Sequence, residues 1–124
     1  MTANSKKRVI VFDRKEMVRH TFSYILTAAG HTLVAVDTSA KVSKALDAQG
    51  FDVAILDLGM PARTIKNALK ALRGKHPKVR LVGVVDRQAW LSSKNLKILE
   101  VANPDVLLLK PFSPEALVNC VESA

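Results

Sequence analysis

The sequence predicts an α/β domain, a three-layer sandwich in which five parallel strands lie between helices. Short, wholly apolar runs alternate with amphipathic stretches of helical period along the chain. The runs VIVF (9–12), VAIL (53–56) and VLLL (106–109) show no polar alternation, as strands covered on both faces require. At 124 residues the chain has room for one well-buried core. Right-handed crossovers then place helices on both faces of the sheet.

VIVF is the first strand and ends at Asp13. Val18, Phe22, Ile25, Leu26 and Ala29 recur at helical spacing, and Gly30 closes that helix as a C-terminal cap. LVAV (33–36) is the second strand. Thr38 or Ser39 can cap a short helix carrying Val42, Ala45, Leu46 and Ala48, ended by Gly50. VAIL is the third strand and ends in Asp57. Ile65, Ala68, Leu69 and Leu72 give a helix that stops near Gly74 and Pro77. LVGVV (81–85) is the fourth strand, followed by a helix over 89–101 with Leu91, Asn95 and Ile98 on one side. VLLL is the fifth strand, and SPEALVNCV opens the last helix with Ser113 as N-cap and Pro114 at the first helical position. Residues 1–6 read as a flexible tail before a domain spanning 7–124.

Composition narrows the function classes. No apolar run is long enough to span a bilayer, and MTANSKKR lacks the apolar core of a signal peptide, so a cytoplasmic, soluble chain without membrane contact is expected. A lone Cys120, set between Leu117 and Val121, is read as a packing residue. His20, His31 and His76 show no metal-ligand spacing. The balance of 19 Lys+Arg against 11 Asp+Glu, net +8, favours acidic partners.

In open parallel sheets, ligands sit at the carboxyl ends of the strands. Asp13, Asp57 and Lys110 end the first, third and fifth strands. One aspartate after a strand is commonly a helix cap, but three convergent polar residues are poorly explained that way. Two acids and a lysine can handle phosphate, a metal or both, with the lysine acting as a point charge on phosphoryl oxygens.

FDVAILDLGMP (51–61) and LLLKPFSPEAL (107–117) resemble the receiver domains of bacterial two-component response regulators, and the resemblance covers residues 7–122. It implies a flavodoxin-like, doubly wound sheet of order 2-1-3-4-5 with five helices. It implies that Asp57 accepts a phosphoryl group from a histidine kinase while Lys110 neutralises charge, a reaction of positioning rather than enzymatic turnover. At most the domain would phosphorylate itself from a phosphodonor. A cis peptide bond is implied before Pro111. Magnesium is implied at an acidic pair that includes Asp13, at Asp57 and at the carbonyl of Gly59.

The chain departs from that pattern at several positions. Arg14 replaces the second acid of the pair, Val85 the threonine or serine that bonds the phosphoryl group, and Leu107 the aromatic residue that changes rotamer. Ile65 stands where a glycine usually follows the acceptor loop. A standard pocket of three carboxylates and one lysine carries about −2, which one magnesium ion neutralises. With Arg14 and Lys110 both turned inward, Asp13 and Asp57 are already balanced, and weak or absent magnesium binding is expected. An Arg14 directed to solvent is the alternative. Val85 offers methyl groups in place of a charged hydrogen bond worth roughly 1.5–3 kcal/mol.

These departures leave a second function open: a phosphorylation-independent pseudo-receiver that acts as a protein-interaction module, with Arg14 standing in for the metal. A flavodoxin-like enzyme or nucleotide binder is a different class. It would need a glycine-rich phosphate loop, and FDRKEM (12–17) offers none. Arg63, Lys66, Lys70 and Arg73 fall within an arc of roughly 80° beside the apolar stripe of the third helix, a basic strip suited to an acidic protein partner. Nucleic acid is the weaker reading, because no recognition motif and only 6 aromatics (Trp 1, Tyr 1, Phe 4) occur. Trp90, at the start of the fourth helix, is a candidate interface anchor.

Overall fold

The computed structural model describes residues 6–88 and 92–123, the side chains of 93–95 excepted. Its elements run β1 (Arg8–Phe12), α1 (Glu16–Ala28), β2 (Thr32–Val36), α2 (Ser39–Ala48), β3 (Val53–Asp57), α3 (Ala62–Lys75), β4 (Arg80–Asp86), α4 (Ser93–Ala102), β5 (Val106–Lys110) and α5 (Pro114–Glu122). All strand pairs are parallel and the sheet order is β2-β1-β3-β4-β5, as the sequence led us to expect. Among the described residues, no helix is long and apolar enough to cross a membrane.

Alternate side chains of each strand enter opposite faces, which divides the core in two. Val9, Val11, Val53, Ile55, Val82 and Val84 pack under α1 and α5 with Phe22, Leu26, Leu117 and Val121. Ile10, Phe12, Ala54, Leu56, Leu81 and Val85 pack under α2, α3 and α4 with Val42, Leu46, Ile65, Leu72 and Ile98. Each fully buried aliphatic side chain contributes about 1.5–3 kcal/mol, so every strand has reason to lie between helices.

The chain punctuation follows the sequence closely. Gly30 takes φ +95° after α1, a conformation that favours glycine. The Thr38 hydroxyl accepts from Lys41 N–H at 3.1 Å and that of Ser113 from Ala116 N–H at 3.0 Å, capping α2 and α5. α3 runs through Gly74 and ends at Lys75, two residues before Pro77. α4 is described from Ser93, and residues 89–91, where the sequence starts this helix and which include Trp90, lie outside the described residues. The peptide bond between Lys110 and Pro111 is cis.

Candidate functional site

Parallel register brings the carboxyl ends of β1, β3 and β5 to one edge, and with them Asp13, Asp57 and Lys110. The Lys110 ammonium Nζ lies 3.6 Å from Asp13 Oδ2 and 3.9 Å from Asp57 Oδ1. It bridges both carboxylates electrostatically, beyond hydrogen-bond distance of either. Side-chain exposure is 1% for Asp13, 13% for Asp57 and 21% for Lys110, so the three form a recess open mainly on the Asp57–Lys110 side.

Local turns hold the two acids. Asp13 Oδ1 accepts from Lys15 N–H at 2.8 Å, and the Asp13 amide donates to the Val36 carbonyl at 3.2 Å. Asp13 Oδ2 is buried and accepts no hydrogen bond. Asp57 Oδ1 accepts from Gly59 N–H at 3.0 Å. A Cβ at position 59 would stand 3.2 Å from that same oxygen, so glycine keeps this flank of the carboxylate open. Burial pushes the Asp57 carboxyl above the usual range and the Asp13 charge adds to this, while Gly59 N–H, Lys110 and Lys15 oppose it.

The inward Arg14 required for a self-neutral pocket is not found. Arg14 is exposed and makes no ion pair or hydrogen bond among the described residues. The bond from Lys15 N–H back to Asp13 closes a two-residue turn, and Arg14 is its outer corner. The charge count changes with it: two carboxylates and one ammonium leave the recess at net −1. The cation that acts on Asp57 from this turn is Lys15, which the sequence did not single out. Its spacing two residues after Asp13 was the available signal.

The other departures lie where expected. Val85 is 3% exposed and Leu107 half-buried, both packed in the core under α3 and α4. Val85 follows Val84, the cross-strand partner of Asp57, so the flank of the recess toward β4 is apolar. On α3, Arg63, Lys66 and Lys70 are exposed without partners among the described residues. Arg73 is exposed as well, but its guanidinium donates to the Ala102 carbonyl at the end of α4. Cys120 is half-buried, and burial pushes its thiol up, consistent with packing.

A divalent ion can be tested against this geometry. The unsatisfied Asp13 Oδ2 and the Asp57 carboxylate are hard oxygen ligands at a site of net negative charge, and magnesium suits both. Two carboxylates are fewer than the resemblance implies, and no group of three His, Cys, Asp or Glu suited to a metal occurs among the described residues. The residues therefore fit a weak site rather than none.

The sequence profile described as "Response regulator receiver domain" matches residues 9–122. The chain belongs to that family and is a receiver domain of two-component signalling. Such domains are generally signalling modules rather than enzymes, and they interact with histidine kinases and other signalling proteins. The chain is 21% identical over 116 residues to the CAI-1 autoinducer sensor kinase/phosphatase CqsS of Vibrio cholerae, covering 94% of this chain and 17% of that protein. It is 30% identical over 113 residues to the sensory/regulatory protein RpfC of Xanthomonas campestris pv. campestris, covering 90% of this chain and 16% of that protein. The chain thus spans about a sixth of the length of these curated relatives. Two solved structures share the fold. The CheY-like receiver domain protein from Methanospirillum hungatei JF-1 aligns with TM-score 0.75 at 23% identity, over 94% of this chain and 91% of that chain. The chemotaxis protein CheY4 of Vibrio cholerae aligns with TM-score 0.80 at 21% identity, over 96% of this chain and 98% of that chain.

Proposed function

We propose that this receiver, working in the cytoplasm, takes a phosphoryl group from a histidine kinase onto Asp57. The observation that carries the reading is the single ammonium of Lys110 set 3.6 Å from Asp13 and 3.9 Å from Asp57 at the strand ends. Gly59 N–H engages Asp57 Oδ1, which leaves Oδ2 as the attacking oxygen. Oδ2 forms the new P–O bond as the donor's P–N bond breaks. The leaving imidazole nitrogen keeps the bonding pair and takes a proton from solvent. Lys110 offsets the charge gathered on the phosphoryl oxygens, and Asp13 holds Lys110 over the acceptor.

Magnesium would be held by Asp13, Asp57 and the carbonyl of Gly59, and when bound it supplies further neutralisation of phosphoryl charge. With one carboxylate fewer than the family pattern, binding is weak. Because Arg14 stands in solvent, the feature that favoured a pseudo-receiver with a built-in substitute for the metal is gone. Val85 and Leu107 still limit the conformational response to phosphorylation, since neither a hydroxyl nor a ring is available. With net charge +8, the domain meets partners through their acidic surfaces.

Intact-mass measurement after incubation with a small phosphodonor and magnesium tests the reading. One phosphoryl adduct on the wild type and none on Asp57→Asn is expected. No adduct on the wild type, or one that persists in the variant, contradicts it.

A further inference from the structure

Three exposed cations of this domain are answered by carboxylates within it. Lys41 pairs with Asp37, Lys75 with Asp47 and Arg8 with Asp52. Arg63, Lys66 and Lys70 of α3 are exposed and make no ion pair or hydrogen bond among the described residues. Their placement costs the helix stability. Arg63 and Lys66 are i,i+3 neighbours, Lys66 and Lys70 are i,i+4 neighbours, and like charges at both spacings repel. Arg63 also sits in the first turn, at the positive end of the helix macrodipole, and no acid offsets it there. A helix stabilised for its own sake would carry an acid in its first turn and alternate the sign of charge along this row.

The three cations are spread over about 10 Å of helix rise along one ridge. Lys70 of that ridge also lines an open furrow of about 630 Å³ toward α2, with Ser39, Ala40, Ser43, Asn67, Ala71 and a Lys75 that is paired with Asp47. Its lining residues include no acid and no aromatic. Short side chains let another backbone approach closely, and without aromatic rings there is no stacking surface for single-stranded nucleic acid. The furrow is on the helical layer over one sheet face, whereas the phosphoryl recess is at the strand ends.

We propose that the exposed ridge of Arg63, Lys66 and Lys70 on α3, with the furrow that Lys70 lines toward α2, docks an acidic helix of a protein partner. Carboxylates at i, i+3 and i+7 of that helix face the three cations, and its narrow side lies along Ala40, Ser43 and Ala71. The proposal rests on the acidic-partner reading above, but not on phosphorylation of Asp57.

A synthetic helical peptide with glutamates at i, i+3 and i+7 serves as the probe, titrated into the full chain and followed by amide NMR. Shifts confined to Ala40, Ser43, Asn67, Ala71 and their neighbours are expected. The triple variant Arg63→Gln, Lys66→Gln, Lys70→Gln weakens binding roughly tenfold, while the control Lys78→Gln, Arg87→Gln, Lys97→Gln, which removes the same charge from other exposed positions, retains it within roughly twofold. Equal losses in the two triples, shifts scattered over the surface, or tighter binding of a short DNA duplex to the same residues would overturn the proposal. Adduct formation at Asp57 is measured on both triples. Retained adduct with lost peptide binding supports the docking site, whereas retained peptide binding in the first triple defeats it whatever the adduct does.

Discussion

Two buried polar clusters lie at opposite ends of the sheet, and they are finished to different degrees. At the amino ends of the strands, His31 Nδ1 accepts from Lys7 N–H at 3.0 Å. Nε2 therefore carries the ring proton and donates to Glu122 Oε2 at 3.0 Å. The His31 side chain is 1% exposed and both ring nitrogens are satisfied. At the carboxyl ends, Asp13 is as deeply buried, yet its Oδ2 accepts no hydrogen bond and the nearest cation stands 3.6 Å away. Buried polar groups are normally paired, and a complete set ties the chain together. The finished cluster joins the start of β1, the turn before β2 and the end of α5. The unfinished one keeps a carboxylate oxygen free for a cation beside the acceptor Asp57.

Removing Lys110 should have the largest effect. The Lys110→Ala variant leaves Asp13 and Asp57 without their shared cation, and phosphoryl uptake from a small donor should slow by about 100-fold. Uptake that continues at the wild-type rate would break the contrast between the clusters. The apolar flank offers a gain instead. Val85→Thr returns a hydroxyl to a shape-matched position, and the steady-state level of Asp57 adduct should rise by roughly tenfold, as one charged hydrogen bond allows.

The finished cluster should respond in stability alone. His31→Ala strands Glu122 and the Lys7 amide and should cost about 2 kcal/mol in urea unfolding, with uptake at Asp57 unchanged. A matching loss of uptake would show that the clusters are coupled. The smallest change in stability is expected from Asp57→Asn. Burial holds the Asp57 carboxyl above its ordinary range, so the folded state binds that proton more tightly than the unfolded state. The ionised group therefore costs stability at neutral pH. The variant should melt a few degrees higher, roughly, at pH 7. The gain should shrink as pH falls through the folded-state value, and vanish below the ordinary carboxylate range, where both states hold the proton. A gain that grows on acidification would contradict the burial argument. The same shift makes phosphoryl uptake by the wild type rise with pH as Asp57 ionises.

The fold was legible because each strand is a continuous apolar run and each helix has its own punctuation, information carried within a few residues. Asp13, Asp57 and Lys110 were legible for the same reason: each ends a strand, and parallel register then gathers strand ends. What was not legible depended on side-chain direction. The sequence left Arg14 either in the recess or in solvent, and the turn closed by Lys15 N–H puts it on the outer corner. Helical spacing could not show that Arg73, exposed on the basic strip, also bonds a carbonyl on α4, 29 residues away. The His31 cluster had no local signature at all, since its partners lie 24 and 91 residues away.

Beryllofluoride, a mimic of the phosphoryl group, lets the two clusters be compared in one experiment. Added with magnesium and followed by amide NMR, it should shift Lys15, Gly59 and Lys110 and leave Lys7 and His31 where they were. Silence at Gly59 and Lys110, or shifts centred on Lys7 and His31, would mean that the unfinished cluster is not the phosphoryl site.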